Sequence, residues 1–288
     1  QHICGQRICE RKKQLKEILE MKLNLPSRLE LSDVYVNEPF TIYEMENILE
    51  KNIYDKLREE FPGKVFFKEG YGSGGKLTFN NTNPLFYKFL EQSEIWKMFC
   101  QTINNEDMVK KLFNLMMHDL KKIPERKKFP KKIIQENIKL VYSWHEGFLS
   151  KVYNKIKKLT SFNQVRVLFE FSRIGNDCYV SPHTEEDKKI FNLLLYFPDC
   201  DISESDKNRL GTNFYKRSKD NLDIWDSYTM EENESENFYK NYDLFYKTKF
   251  SENKFIGLIK TSNSWHDTSI FNNLKEDRKS FNIFFYQY

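Results

Sequence analysis

Cys178-Tyr-Val-Ser-Pro-His183-Thr-Glu185-Glu-Asp-Lys-Lys-Ile-Phe-Asn-Leu-Leu-Leu-Tyr196 is the stretch on which the reading of this chain turns. Its second half, Ile190 to Phe197, is apolar on both faces, the texture of a strand enclosed in a sandwich or barrel. Its first half carries a histidine and a carboxylate two residues apart, and on extended backbone such side chains point the same way. His183 and Glu185 thus offer two thirds of a metal site. The third ligand is expected from a partner strand, and Thr261-Ser-Asn-Ser-Trp-His266-Asp-Thr-Ser-Ile270 supplies an imidazole late in the chain. Twelve residues further on, Arg278-Lys-Ser280 opens the terminal strand Phe281-Asn-Ile-Phe-Phe285.

Strand texture extends to both sides of this stretch. Val165, Val167, Phe169 and Phe171 alternate with Arg166, Leu168, Glu170 and Ser172, and the turn Gly175-Asn-Asp177 follows. Gly211 to Tyr215, Lys254 to Lys260, Trp265 to Phe271 and Arg278 to Tyr288 supply further strands. Residues 216–250 form a polar, acidic insert with Glu231, Glu232, Glu234 and Glu236, too long for a plain hairpin and expected to carry a helix or shape a pocket mouth. The first half of the chain reads as helical. Leu15, Ile18, Leu19 and Leu23 predict an amphipathic docking helix over 10–23, stopped by Pro26. A short strand over Pro39 to Tyr43 precedes a helix with Leu49, Ile53, Leu57 and Phe61 on one side. Further helices are predicted from Pro84 to about Cys100, over Asp107 to Leu120, and through most of 133–160. His145 and Glu146 within the last of these are adjacent, face different ways and read as surface or support residues. The pattern predicts an α+β chain: an N-terminal extension over 1–35, a mainly helical support region over 36–160, and a core over 161–288. That core is expected to be a double-stranded β-helix (jelly-roll, cupin-like) buttressed by the helices, in one structural domain overall.

Composition narrows the functional classes. The chain of 288 residues has Phe 25 and Tyr 16 and contains no alanine, so rings and Leu/Ile must fill its core. A net charge of +4 from 46 basic and 42 acidic residues demands no nucleic-acid partner. The basic stretch from Lys121 to Lys132 lacks the interleaved aromatics that base stacking needs and reads as a solvated connector. No apolar run of membrane-spanning length and no signal-peptide core is present in the sequence, so a soluble, cytoplasmic protein without a membrane partner is expected. Five cysteines without regular spacing argue against a disulfide framework. Cys4 and Cys9 with His2 lack the second pair that a structural zinc requires. Gly70-Tyr-Gly-Ser-Gly-Gly-Lys76 nearly spells a phosphate loop, but Leu77 stands where the magnesium-binding hydroxyl belongs and no helix follows. It is expected to be a loop, a candidate lid.

The order His-x-acid, distant His, Arg-x-Ser resembles the iron(II)- and 2-oxoglutarate-dependent dioxygenases over roughly residues 163–288. A weaker echo lies at residues 39–62, where strand, helix and Phe61-Pro62 are similar to the opening of many bacterial and viral members, the prolyl-hydroxylase-like ones included. The resemblance implies that His183, Glu185 and His266 hold Fe(2+) on one face, leaving adjacent positions for 2-oxoglutarate and O2. It implies a guanidinium, Arg278, for the distal carboxylate of 2-oxoglutarate, with Ser280 adding a hydroxyl and Tyr196 a phenol. Arg173 and Tyr179 share residue parity with His183 and are candidates to touch co-substrate or substrate. The implied reaction decarboxylates 2-oxoglutarate to succinate and hydroxylates an unactivated C–H bond, with ascorbate as an optional reductant. One departure is Glu185 where most members have Asp, with Asp187 as the rival acid. Related halogenases replace the carboxylate by a small residue, so a retained acid favours hydroxylation. The substrate is expected to be peptidyl proline or a small metabolite such as an amino acid. Two other readings compete: a non-catalytic jelly-roll binding protein, and a cupin-like metalloenzyme that does not use 2-oxoglutarate.

Overall fold

The terminal strand sorts its side chains by parity, and this sorting organises the molecule. In the computed structural model, which describes residues 21–69, 74–123, 139–141, 164–218 and 232–287, Arg278–Gln287 forms β13. It pairs along one edge with β6 (Gln164–Ile174) and along the other with β8 (Lys189–Tyr196), antiparallel in both cases. Phe281, Ile283 and Phe285 are fully buried in one core, whereas Arg278, Ser280, Asn282 and Phe284 line a cavity on the opposite side. The same period of two splits β6, sending Val167, Phe169 and Phe171 into that core and Ser172 and Ile174 to the cavity.

Outward from these three strands, a nine-stranded sheet has the order β1-β2-β11-β8-β13-β6-β4-β3, with β5 also on β6. The added strands are β1 (Val34–Val36), β2 (Ile42–Glu46), β3 (Lys68–Glu69), β4 (Leu77–Asn80), β5 (Lys139–Val141) and β11 (Lys254–Ile259). All pair antiparallel except β5 with β6. A second, four-stranded antiparallel sheet has the order β10-β9-β12-β7, built from β7 (Val180–His183), β9 (Asn213–Arg217), β10 (Tyr242–Lys247) and β12 (His266–Thr268). From β6 to β13 the chain crosses repeatedly between the two sheets.

Among the described residues, four helices cover one face of the large sheet: α1 (Lys51–Glu59), α2 (Pro84–Gln92), α3 (Glu94–Ile103) and α4 (Glu106–Leu120). Aromatic rings knit them down. Trp96 on α3 stands 4.5 Å from the Phe171 ring and 4.9 Å from that of Phe281, and its Nε1 donates to the Leu57 carbonyl. A second core lies between the sheets, where Ile174, Ile256 and Leu258 meet Phe214, Leu210 and Phe271. Two further helices follow β8, α5 (Glu204–Arg209) and α6 (Glu232–Asn241).

Several expectations need correction. The helix expected from Pro84 to Cys100 is two, because Ser93 leaves helical geometry and its hydroxyl caps α3 at Trp96 N. The strand expected at Pro39 starts later, at Ile42, and Lys139–Val141 is strand within the region read as helical. Residues 21–23 are not helical, and the remainder of the predicted 10–23 helix lies outside the described residues, as do His145 and Glu146. The Gly70–Lys76 segment joins two paired strands, β3 and β4, with its tip outside the described residues. The acidic insert carries both a helix and a strand, α6 and β10. No helix of the described residues is long and apolar enough to cross a membrane.

Candidate functional site

His183 ends β7 and His266 begins β12, and the antiparallel register sets them directly opposite each other. Opposed residues on neighbouring strands hold their Cβ atoms about 5 Å apart, and these two imidazole centroids are 4.2 Å apart. Glu185 lies just past the end of β7, yet its Oε1 comes within 3.6 Å of His266 Nε2. One ligand atom from each of the three lies within 4.8 Å of the other two, and no other such group occurs among the described residues. Asp187, the rival acid, is fully exposed and turned to Lys260.

Both imidazoles are set by the same local device. Nδ1 of His183 is 2.9 Å from the Ser181 carbonyl and Nδ1 of His266 is 2.9 Å from the Ser264 carbonyl, in each case two residues back. A carbonyl only accepts, so each Nδ1 carries the proton and each Nε2 keeps a lone pair for a metal. Burial, then the neighbouring His266, lowers the His183 pKa to about 3, so that ring is neutral near pH 7. Burial by itself would raise the Glu185 pKa. Against burial the largest influence is the Lys189 ammonium, and the carboxyl is held well below its usual range. Two neutral nitrogens and one anionic oxygen, converging from one side, fit a divalent first-row metal with open positions.

The cavity over these residues has a volume of about 90 Å³ and is also lined by Arg278, Ser280, Ser172 and Thr212. Arg278 is 3% exposed. Its Nε donates to the Leu210 carbonyl at 2.7 Å and its Nη2 to Thr212 Oγ1 at 3.2 Å, which leaves other donors of the guanidinium fork for the cavity. Ser280 Oγ lies 2.7 Å from Ser172 Oγ.

Three of the sequence candidates stand elsewhere. Tyr196 is fully buried behind Arg278, whose guanidinium lies 4.7 Å from the ring, and its hydroxyl bonds Thr212 and Thr248 rather than facing the cavity. Arg173 is on the other face of the large sheet: it donates to the Pro62 carbonyl, pairs with Asp277 and packs over Phe61 and Phe67. Parity was a false guide here, because Arg173 and His183 lie on strands of different sheets separated by the Gly175–Asp177 turn. Tyr179 bridges to Gly75, its amide donating to the Gly74 carbonyl, and does not line the cavity.

Two residues missed in the sequence take hold of Glu185. Lys189 Nζ donates to Oε2 at 2.5 Å and Asn192 Nδ2 to Oε1 at 2.7 Å. Asn192 and Asn282 had a legible signal, since each is a lone amide within an apolar strand. Thr212 and Ser172 had none. Beside His266, the buried Asp267 accepts from Asn213, Tyr215 and Tyr239, the last a residue of α6, and burial raises its pKa.

No protein-family model and no curated protein matches the chain. Among solved structures it is similar to a Pseudomonas putida prolyl-4-hydroxylase at 7% identity, with 86% of this chain and 92% of that chain covered and a TM-score of 0.47. It is also similar to a Trichoplax adhaerens prolyl hydroxylase, solved with a hypoxia inducible factor oxygen degradation domain peptide fragment, at 6% identity, 85% and 83% coverage and TM-score 0.46. A third similar structure is SnoN, a non-heme alpha ketoglutarate dependent epimerase from nogalamycin biosynthesis, at 8% identity, 85% and 78% coverage and TM-score 0.41.

Proposed function

We propose that this protein is an iron(II)- and 2-oxoglutarate-dependent oxygenase that hydroxylates an unactivated C–H bond. The observation that carries the reading is a single cavity lined both by a convergent His183, Glu185 and His266 and by a buried arginine, Arg278. Iron(II), when bound there, would supply the centre at which O2 and 2-oxoglutarate react. The chain's own residues do the rest. His183 and His266 present unprotonated Nε2 atoms, Glu185 presents a carboxylate, and Arg278 offers paired donors matched to the far carboxylate of a dicarboxylic acid. Ser280 and Thr212 add hydroxyls beside it. The apolar wall of Ile256, Leu258 and Phe214 limits water in between.

The topology supports the same reading. β6, β8, β11 and β13 lie in the large sheet and β7, β9, β10 and β12 in the small one, an alternation that supports a double-stranded β-helix. A cupin-like metalloenzyme without 2-oxoglutarate would give no anion to the remaining donors of the buried Arg278 guanidinium. A non-catalytic binding protein would have no use for the metal ligands. The substrate we assign is a small metabolite such as an amino acid, or peptidyl proline. Protein reconstituted anaerobically with iron(II), then given 2-oxoglutarate and air, should form succinate. Absence of succinate, with or without added amino acids and prolyl peptides, would overturn the assignment.

A further inference from the structure

Both oxygens of the Glu185 carboxylate accept from neighbouring side chains. Oε2 takes the Lys189 ammonium at 2.5 Å and Oε1 takes the Asn192 amide at 2.7 Å, while His266 Nε2 stands 3.6 Å from Oε1. Lys189 and Glu185 are both nearly buried, with side chains 13% and 6% exposed, so solvent screens their pairing little. The ammonium is fixed from its other side as well, lying 4.0 Å from the centre of the Phe284 ring and 5.7 Å from that of Tyr286, both on β13. A lysine that merely satisfied a surface acid would need no such seat.

We propose that Lys189 is a built-in competitor of the metal: it neutralises Glu185 when no ion is bound, holds Oε2 away from the ion when one is, and keeps metal binding reversible. This inference rests on the reading of His183, Glu185 and His266 as metal ligands. A positive charge held a few ångströms from a bound cation opposes it, and in a buried site that opposition is strong. The ammonium also takes Oε2 of Glu185, the one anionic side chain of the three, so an ion held there would have to share that carboxylate with Lys189. Glu185 in place of a shorter aspartate fits this arrangement, since the extra methylene lets one carboxylate span from the imidazoles to Lys189. The spacing of four residues brings the two together across the turn between β7 and β8.

The proposal predicts a sign that a merely structural lysine would not. Replacing it should tighten metal binding, although it removes a buried ion pair. Isothermal titration of metal-free protein with cobalt(II) is expected to give at least about tenfold tighter binding for Lys189→Met than for the wild type. Lys189→Gln, which keeps a donor without the charge, should behave like Lys189→Met. Lys189→Arg should stay within about threefold of wild type because it retains the charge. The rise in melting temperature on adding cobalt(II) should be largest in the two uncharged variants, since they lose the counter-ion of Glu185 in the metal-free state. Unchanged or weaker binding by folded Lys189→Met or Lys189→Gln overturns the proposal, as does tenfold tighter binding by Lys189→Arg. A wild-type protein that binds no cobalt(II) overturns the metal assignment itself, a distinct failure.

Discussion

Two serine carbonyls orient this site. Ser181 and Ser264 each stand two residues before a histidine and each receive Nδ1, so that both rings turn Nε2 inward. Arg278 is held with comparable economy, by one backbone carbonyl and one threonine, with Tyr196 behind it. If Arg278 grips the diacid as proposed, Arg278→Met removes paired, charge-assisted hydrogen bonds, each contributing about 1.5–3 kcal/mol. The amount of 2-oxoglutarate needed for half-maximal succinate formation should rise at least about 100-fold, with cobalt(II) affinity unchanged within experimental error. An unchanged requirement would show that another residue grips the acid. At this scale the sequence was most informative where chemistry demands rare residue types. His183, Glu185, His266 and Arg278 could be picked out because few other groups serve as ligands or as a carboxylate clamp. Lys189 could not, because lysines are abundant in this chain and nothing in the spacing singles out the one that points inward.

Among elements, β11 shows how closely the large sheet is packed. Gly257 pairs with Tyr43 on β2, and a methyl group placed on it would lie 1.8 Å from the Tyr43 ring, itself fully buried. Gly257→Ala should therefore destabilise the protein by roughly 1–3 kcal/mol or more through overpacking, measured as a lower denaturant midpoint. A midpoint like that of the wild type would mean that the ring moves freely. Helix α6 offers a different test, since it sends Tyr239 to the buried Asp267 next to His266. Tyr239→Phe removes one of three donors to that carboxylate and should cost about 1–2 kcal/mol, read in the same unfolding experiment. Loss of cobalt(II) affinity alongside would show that α6 braces the metal ligands as well as the sheet. Element types were legible wherever one periodicity ruled, as in β6, β13 and α4. They were not legible at Ser93, where one hydroxyl cap divides an otherwise continuous apolar pattern, nor at Arg173, where a turn between two sheets cancels residue parity.

Across the whole molecule, burial of an uncharged histidine ties stability to pH. His183 has its pKa lowered from 6.5 to about 3, first by burial and then by His266. Below pH 6.5 the unfolded chain takes up a proton that the native site refuses, so native stability falls as pH drops through the window from about 6.5 to 3. Glu185, also lowered, acts in the same direction: its contribution is complete above the ordinary glutamate pKa and is lost as acid protonates it. The two windows overlap only at their acid end. Between pH 6.5 and 5 the histidine dominates, and the loss is on the order of 1–2 kcal/mol. Metal-free wild type should thus melt several degrees lower at pH 5 than at pH 7, and His183→Leu, with no ring to protonate, should show a smaller drop over the same interval. Cobalt(II) should add nearly the same unfolding free energy at pH 7 and at pH 5, because the metal stabilises through the native state alone and native His183 and Glu185 carry no proton at either pH. A cobalt(II) contribution that fades between pH 7 and pH 5 would mean that a proton enters the native site in that interval, which the lowered pKa of His183 forbids.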